Sequence, residues 1–131
     1  MNRLTFFLPG RLPDLNEYTY INPKGKNVYA ISPGIRLKKL WRERASLIIE
    51  SQKPEGFEMF DTPVFISLLW HLEENDKRDP DNIVFAKKFI FDGMVDAGVI
   101  ADDGRPEIAG FIDRWIDADR PGVEVSVTDL T

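Results

Sequence analysis

The sequence contains no cysteine and a single histidine, His71, among its 131 residues. Without cysteine there is no disulfide framework, no thiolate-held zinc or iron-sulfur cluster, and no thiol nucleophile. A single histidine also excludes paired-histidine catalysis and histidine-rich metal sites. Any metal ion must therefore be held by oxygen atoms. The lack of disulfides is typical of a reducing compartment, and we expect a cytoplasmic protein.

Long apolar runs are also missing. The longest uncharged stretch, residues 62–72, is about half the length of a membrane span. The apolar run at residues 4–8 is shorter than the core of a signal peptide, so we expect neither secretion nor membrane insertion. With 43% hydrophobic and 11% aromatic residues, the chain has enough apolar side chains for one globular core. Its length favours a single domain over residues 1–131.

Strand and helix signals alternate along the chain. Apolar runs predict strands at residues 4–8 and 64–71, the second of them covered on both faces. Helices are predicted over 34–52 and 79–97, and two strands at 107–116 and 123–127 are joined by a hairpin turn at 119–122. The capping-box spacing of Asp14 and Glu17 predicts a short helical turn, and the Pro- and Gly-containing segment 22–34 predicts a loop. This order predicts a small α+β domain with a mixed sheet and two main helices. The apolar face of the first helix is expected to contain Leu37, Leu40, Trp41, Leu47 and Ile48.

The charges are segregated along the chain. The net charge is −5, but residues 22–53 carry eight basic and two acidic side chains, a local excess of +6. A basic segment in an acidic chain suits a face that binds a polyanion, although a solvated basic helix face explains it equally well. The candidate contacts with a phosphate backbone are Arg36, Lys38, Lys39 and Arg42.

Four carboxylates stand at the two ends of the second predicted helix. Asp79 and Asp81 lie at its start, where acids cap and stabilise helices, and Asp102 and Asp103 follow it in a turn-forming Asp-Asp-Gly sequence. Each acid alone thus has a structural explanation. On a helical wheel, however, Lys88 lies roughly 20° from Asp81. Lys87 lies about 120° away on the same wheel.

This stripe of charges suggests a specific chemistry. Carboxylates at a helix start with a lysine on the same side supply oxygens for Mg²⁺ and a cation for the charge on a reacting phosphate. Asp92 also falls on the stripe and is spaced to orient Lys88 by an i,i+4 pair. The interpretation favours a phosphoryl-transfer site.

The same residues carry a resemblance to a known family. The chain has Lys-Arg-Asp-Pro-Asp-Asn at 77–82, Lys-Lys at 87–88, Phe-Asp-Gly-Met at 91–94, and Asp-Asp-Gly at 102–104. In this order the motifs resemble the signature of the RusA family of Holliday junction resolvases. Residues 12–18, Leu-Pro-Asp-Leu-Asn-Glu-Tyr, are similar to that family's Pro-Ser-Leu-Asn segment. The resemblance covers about residues 1–104 and implies a RusA-like fold.

The resemblance implies a set of roles. Asp79, Asp81 and Asp103 would hold one or two Mg²⁺ ions, or Mn²⁺ in their place. Lys88 would be the catalytic lysine, acting with these three acids, and Arg78 would contact DNA together with its neighbour Lys77. The lysine follows Asp81 by one helical turn more than in the best-known form of the motif. Asp102 remains the alternative to Asp103 as the closing acid.

The resulting hypothesis is a Mg²⁺-dependent, structure-selective endodeoxyribonuclease. It would resolve four-way DNA junctions in recombination and repair, with a water attacking a phosphodiester. A homodimer would cut two strands symmetrically, with Phe6, Phe7 and Trp115 as candidate contacts that suit a core position equally well. The alternative is a catalytically weak branched-DNA-binding protein with the same fold.

Overall fold

The computed structural model of the protein describes residues 2–21 and 33–130. In these two ranges the chain forms four strands and four helices. In chain order they are β1 (Arg3–Pro9), α1 (Leu15–Ile21), α2 (Pro33–Gln52), β2 (Val64–Leu72), α3 (Pro80–Val84), α4 (Lys87–Asp96), β3 (Ile108–Asp117) and β4 (Gly122–Asp129). The predicted loop at residues 22–34 lies for the most part outside the described residues.

The four strands form one mixed sheet in the order β1-β4-β2-β3. Strand β4 pairs antiparallel with both β1 and β2, and β2 pairs in parallel with the edge strand β3. The small α+β domain with a mixed sheet and two main helices is therefore confirmed. No helix among the described residues is long and apolar enough to cross a membrane.

One face of the sheet carries the core. Alternate residues along β1, β2 and β4 are buried, as the period of two in a strand requires. The helices pack over this face, where Gly93 of α4 brings α2 close: a Cβ at Gly93 would lie 2.7 Å from the Cβ of Ala45. The sheet residues in the core are Leu4, Phe6, Leu8, Val64, Ile66, Leu68, Trp70, Val123, Val125 and Val127.

Two expectations for the strands were wrong. Strand β2 is buried on one face, whereas its other face is partly open, with Phe65 39% exposed. The described part of the chain supplies no second layer over that face. Strands β3 and β4 do not form a hairpin, because β2 lies between them and pairs with both. The turn signal at residues 119–122 marks a connection that crosses over β2.

The apolar face predicted for α2 was also partly wrong. Leu40 is 48% exposed and Leu47 is 73% exposed, whereas Ala45 and Ile49 are buried. The large apolar residues were expected to face the core. Close packing against Gly93 instead selects the small Ala45 at the contact, and this turns the larger leucines outward.

The helix predicted over residues 79–97 is two helices. It begins where expected, with Asp79 as N-cap and Pro80 in the first turn, but no side chain caps it. At Phe85 and Ala86 the backbone hydrogen-bonding pattern tightens. The N–H groups of Lys88 and Phe89 donate to carbonyls three residues earlier, whereas an α-helix bonds four residues earlier. Isoleucine, valine and phenylalanine at 83–85 have modest helix propensity, which permits this tightened break. Asp81 and Lys88 therefore do not share one continuous helical stripe.

The helical turn predicted at Asp14 was confirmed, with Asp14 as its N-cap. The backbone N–H of Glu17 donates to Oδ1 of Asp14 at 2.8 Å, as a helix N-cap requires, and α1 follows.

Of the aromatic candidates for an interface, Phe6 is in the core at 2% exposure, whereas Trp115 is 54% exposed. Phe7 is half-buried and packs edge-on against His71 at 5.2 Å.

Candidate functional site

Lys88, Asp92 and Asp103 form a compact group of charges, called the Lys88 cluster below. The Lys88 Nζ lies 3.5 Å from Asp92 Oδ1 and 3.5 Å from Asp103 Oδ2. The side chains are 49% exposed for Lys88, 27% for Asp103 and 9% for Asp92. The cluster is thus open to solvent at its lysine and closed by a buried carboxylate at its base.

Helix α4 and the turn after it bring the cluster together. Lys88 and Asp92 are one helical turn apart, so their side chains share a face. The helix is terminated at Gly98, whose φ of +72° is the left-handed conformation that favours glycine. The chain then reverses, and Asp102 Oδ1 accepts the backbone N–H of Asp103 at 2.8 Å. This turn places the Asp103 carboxylate against α4.

Each carboxylate of the cluster lies beside the Lys88 ammonium. Burial alone raises the pKa of Asp103, but the Lys88 ammonium and neighbouring side chains hold that pKa below its usual value. Asp92 Oδ2 is buried and has no hydrogen-bond partner in the part of the chain that the structure describes. An unsatisfied buried oxygen is unfavourable. This oxygen can therefore accept a further hydrogen-bond donor.

An ion pair between α2 and α4 lies beside the cluster. Arg42 donates to Asp96 through two nitrogens, at 2.6 and 2.7 Å. This bond raises the pKa of Arg42, helped by the charges of Asp92 and Asp103, and it lowers the pKa of Asp96. The guanidinium predicted to meet a DNA phosphate is thus already occupied by a carboxylate. Its nearby charge also contributes to the field at the cluster.

Asp79 and Asp81 are separate from this cluster. Both are exposed, at the start of α3, and neither makes a side-chain hydrogen bond or ion pair with another described residue. Within 2–21 and 33–130, no three His, Cys, Asp or Glu side chains converge closely enough to hold a metal ion. The three acids predicted to share a cation are therefore not assembled in this structure. Lys88 faces Asp103 rather than Asp81.

Arg78 is held in a structural ion-pair network. Its guanidinium donates to both oxygens of Asp76, the shortest contact being 2.6 Å, and it lies 3.6 Å from Asp14 Oδ2. The hydrogen bond raises the pKa of Arg78 and lowers that of Asp76. These contacts tie the start of α1 to the loop before α3. Lys77, the neighbouring predicted DNA contact, is exposed.

The basic residues predicted on the first helix lie on α2. Arg36 and Lys39 are exposed, and Lys38 is half-buried. Lys38 lines an aromatic groove of about 430 Å³ that reaches Lys88. The groove consequently connects Lys38 of α2 with Lys88 of α4. The groove is lined by Tyr18, Lys38, Phe85, Lys87, Lys88, Phe89 and Phe91.

No family model matches this sequence, and no curated protein matches it either. The resemblance noted above is carried by the motifs between residues 77 and 104 and by the segment at residues 12–18. Function must therefore be argued from the chain's own residues and their geometry.

The sequence reasoning missed the partner of Lys87. Its ammonium lies 2.8 Å from Asp113 Oδ2 and 4.9 Å from the centre of the Phe111 ring. Asp113 also accepts a hydrogen bond from Trp70 Nε1 at 2.9 Å. This network links α4 to β2 and β3. No local motif marks it, since Asp113 is 26 residues away and is brought near by the sheet.

Proposed function

We propose that this protein is a divalent-cation-dependent endodeoxyribonuclease that cuts four-way DNA junctions in recombination and repair. The observation that carries the proposal is the half-exposed Lys88 ammonium within 3.5 Å of the Asp103 carboxylate, beside a buried acid. A cation and oxygen ligands at one solvent-accessible point are the components that phosphodiester hydrolysis requires. The proposed setting is the cytoplasm.

The donor chemistry of the cluster fits Mg²⁺ or Mn²⁺. All of its possible ligands are carboxylate oxygens, which these hard cations prefer, and one buried oxygen of Asp92 lacks a partner. A bound cation would stabilise charge on the phosphate and acidify water there. In the proposal Asp103 holds it, and Asp79 and Asp81 complete the acidic set when α3 and the cluster come together on DNA.

The chain's own residues have separable tasks. Lys88 neutralises charge that develops on the reacting phosphate, since its ammonium is at the open side of the cluster. Asp92, one helical turn later along α4, holds the Lys88 side chain in position. Lys87 cannot replace Lys88, because its ammonium is bound by Asp113 and Val84 C=O.

The DNA-binding surface in the proposal is the basic face of α2 with the start of α3. Arg36, Lys38 and Lys39 meet backbone phosphates, and Lys77 extends the surface. Arg42 joins them if phosphate replaces Asp96, and Arg78 acts by fixing the loop that carries Lys77. Lys24 and Lys26, which also belong to the basic segment, lie outside the described residues.

A homodimer supplies the second active site in the proposal. Strand β3 is an edge strand, and Ile112 and Ile116 on it are 46% and 44% exposed. In the parallel register they lie beside Ser67 and His71, on the open face of the sheet next to Phe65. An exposed edge with apolar side chains favours pairing with a second copy, and a two-fold dimer matches the symmetry of a junction.

The test is cleavage of a synthetic four-way junction. The proposal predicts paired cuts in Mg²⁺ and none in EDTA, with linear duplex of the same sequence left intact. Binding of the junction without cuts in Mg²⁺ or Mn²⁺ would instead support the second candidate, a branched-DNA-binding protein. The separation of Asp79 and Asp81 from the Lys88 cluster is the observation that favours this candidate.

A further inference from the structure

We infer that the aromatic groove formed by α1, α2 and α4 binds one unpaired nucleotide of a DNA strand. The base stacks on the rings of Tyr18 and Phe85, and the phosphate meets the ammonium groups of Lys38 and Lys88, all of which line the groove. The inference deepens the proposed function and rests on it for the DNA, but the groove is defined by its own lining. It gives a role to Tyr18 and Phe85, which the proposed cleavage does not use.

The first argument is the size of the groove and the nature of its floor. Its volume of about 430 Å³ lies in the lower part of the range for small-ligand sites, which is roughly 300–1,000 Å³. Phe89 and Phe91 belong to the buried core and contribute to the lining, so the floor is fixed by the fold. A base that is still paired in a duplex is stacked between its neighbours and cannot enter such a recess. The groove therefore suits a single extruded nucleotide.

The second argument is the arrangement of the rings. The Tyr18 and Phe85 rings have centroids 5.5 Å apart and are tilted by 46°. Because these rings already pack against each other, a base stacks on them from the groove and does not insert between them. Both side chains are half-buried, which leaves ring surface for a ligand. Every base has a face that can stack on an aromatic side chain, so the groove would bind without sequence preference.

The third argument is the charge at the groove. Three lysines line it, and no acidic side chain of the described residues does. Lys87 is held by Asp113 at 2.8 Å, whereas the half-exposed Lys88 has only contacts of 3.5 Å. Aromatic rings beside ammonium groups match a ligand that combines an aromatic ring with a negative charge, as a nucleotide does. A hydrocarbon chain or a neutral peptide would leave the ammonium groups without a counter-ion.

The groove supplies a physical basis for selecting branched DNA. Extruding a base from a duplex costs unpairing and unstacking energy, and this cost is least for a base that is already unpaired. A recess that binds only an extruded nucleotide therefore favours DNA with an unpaired or weakly stacked base, such as one at a branch point. Lys88 belongs both to the groove and to the Lys88 cluster. The bound nucleotide would thus hold its phosphodiester beside the proposed cleavage site.

The test compares two DNA ligands that differ by one base, both in EDTA so that no strand is cut. One is a duplex with a single unpaired adenine. The other has an abasic nucleotide at that position and keeps its phosphate. Fluorescence anisotropy should show that the unaltered chain binds the adenine-containing duplex about tenfold more tightly, because only that ligand can stack.

Substitutions in the groove separate stacking from phosphate contact. Tyr18→Ala and Phe85→Leu should each lower the preference for adenine by about threefold or more, and Tyr18→Phe, which keeps the ring, should retain it. Lys38→Ala should weaken the binding of both ligands equally, since it removes a phosphate contact. Phe57→Leu is the matched control. Phe57 is also half-buried, packs edge-on against a buried phenylalanine and lies near a lysine, but it is outside the groove.

Several results would overturn the inference. Equal affinity of the unaltered chain for the two duplexes would do so and requires no variant that might fold poorly. An undiminished preference in both Tyr18→Ala and Phe85→Leu would also exclude stacking in the groove. If free deoxyadenosine monophosphate displaced the adenine-containing duplex at equal concentration, the occupant would be a free nucleotide. If Tyr18→Ala were a monomer by light scattering beside a dimeric unaltered chain, the occupant would be a second copy.

The two proposals fail differently. If the adenine preference is found but no four-way junction is cut in Mg²⁺, the proposed nuclease activity is lost and the nucleotide groove stands. If junctions are cut but the two duplexes bind equally, only this inference is lost.

Discussion

Lys87 and Lys88 are neighbours in the sequence, but their surroundings differ, and so do the roles proposed for them. Lys87 is bound by Asp113 at 2.8 Å and lies over an aromatic ring, whereas Lys88 is half-exposed beside Asp103. Both lie at the start of α4, one residue apart. Their side chains diverge because successive helical residues differ by about 100° in direction.

Alanine substitutions at these positions should therefore have opposite consequences. Lys88→Ala should lower the cleavage rate by about two orders of magnitude or more, because charge on the phosphate is then unmatched. Its free energy of unfolding should fall less than in Lys87→Ala, because both Lys88 contacts are 3.5 Å long and its ammonium is half-exposed. Lys87→Ala should cost about 1–3 kcal/mol of stability, since the partly buried Asp113 then loses its cation. Junction-cleavage kinetics and urea unfolding report the two effects, and equal rate losses would contradict the assignment.

The Asp76–Arg78 ion pair predicts how stability depends on pH. The Arg78 hydrogen bond lowers the pKa of Asp76 in the folded protein below its unfolded value of 3.8. The pair therefore contributes its full stability above that unfolded pKa, and the contribution is lost as pH falls through the lower folded pKa. Urea midpoints at neutral pH and in this acid range should converge between the unaltered chain and Asp76→Asn as pH falls. A constant difference would contradict the assignment.

At the scale of elements, the packing of α2 on α4 sets the position of the cluster. Gly93 follows Asp92 directly, and its lack of a side chain lets Ala45 approach. The same contact keeps Arg42 beside Asp96. A displacement of the two helices would thus move both the buried Asp92 and the basic face of α2.

Gly93→Ala tests this packing. The added methyl group would lie 2.7 Å from the Ala45 Cβ, and the helices must separate to admit it. We expect a loss of about 1–3 kcal/mol in the free energy of unfolding, as for other overpacked cores. Gly56→Ala is a useful comparison, because no atom lies within 4 Å of its added Cβ and its cost comes from the backbone angle alone. Wild-type stability in Gly93→Ala would contradict the close approach.

The elements themselves could be predicted where the pattern is local. Strand periodicity, the Asp14 cap and the start of α3 at Pro80 follow from neighbouring residues, and the structure agrees. The break at Phe85 could not be foreseen from periodicity, because the apolar residues on both sides continue a helical pattern. The absence of a β3–β4 hairpin depends on the insertion of β4 between β1 and β2, which is a long-range pairing.

The candidate site also has features that follow from local sequence and features that depend on tertiary packing. Its residues were selected from sequence, and Lys88 and Asp103 do lie together. The reason given for Lys88, a stripe shared with Asp81, was wrong because the helix is broken. The buried state of Asp92 and the network of Lys87 depend on tertiary packing, so they required the structure.

At the scale of the whole molecule, the proposed function requires a chain of negative net charge to bind a polyanion. The basic segment on α2 has a local excess of positive charge within a net charge of −5. A two-fold dimer would double this surface while pairing the exposed edges of β3. Assembly and DNA affinity are consequently linked in this account.

Ile112→Lys and Ile116→Lys test the proposed dimer. Light scattering should give about twice the 15.0 kDa chain mass for the unaltered protein and a monomer mass for each variant, because a lysine on the open sheet face opposes pairing. Junction affinity of the dimer should fall steeply with salt, as counterion release requires. Thr5→Lys, on the polar part of the sheet away from β3, should remain dimeric. A stable monomer that still makes paired cuts would exclude this assembly.

The central claim is that Lys88 and Asp103 form a metal-dependent nuclease site, and one cleavage experiment tests it most directly. A labelled four-way junction is incubated in Mg²⁺ with the unaltered chain, Asp103→Asn and Asp102→Asn, and each reaction is repeated in EDTA. The account predicts paired symmetric cuts by the unaltered chain in Mg²⁺ alone, none by Asp103→Asn despite retained junction binding, and substantial cutting by Asp102→Asn. Cutting at the normal rate by Asp103→Asn, or metal-independent cutting, would contradict it.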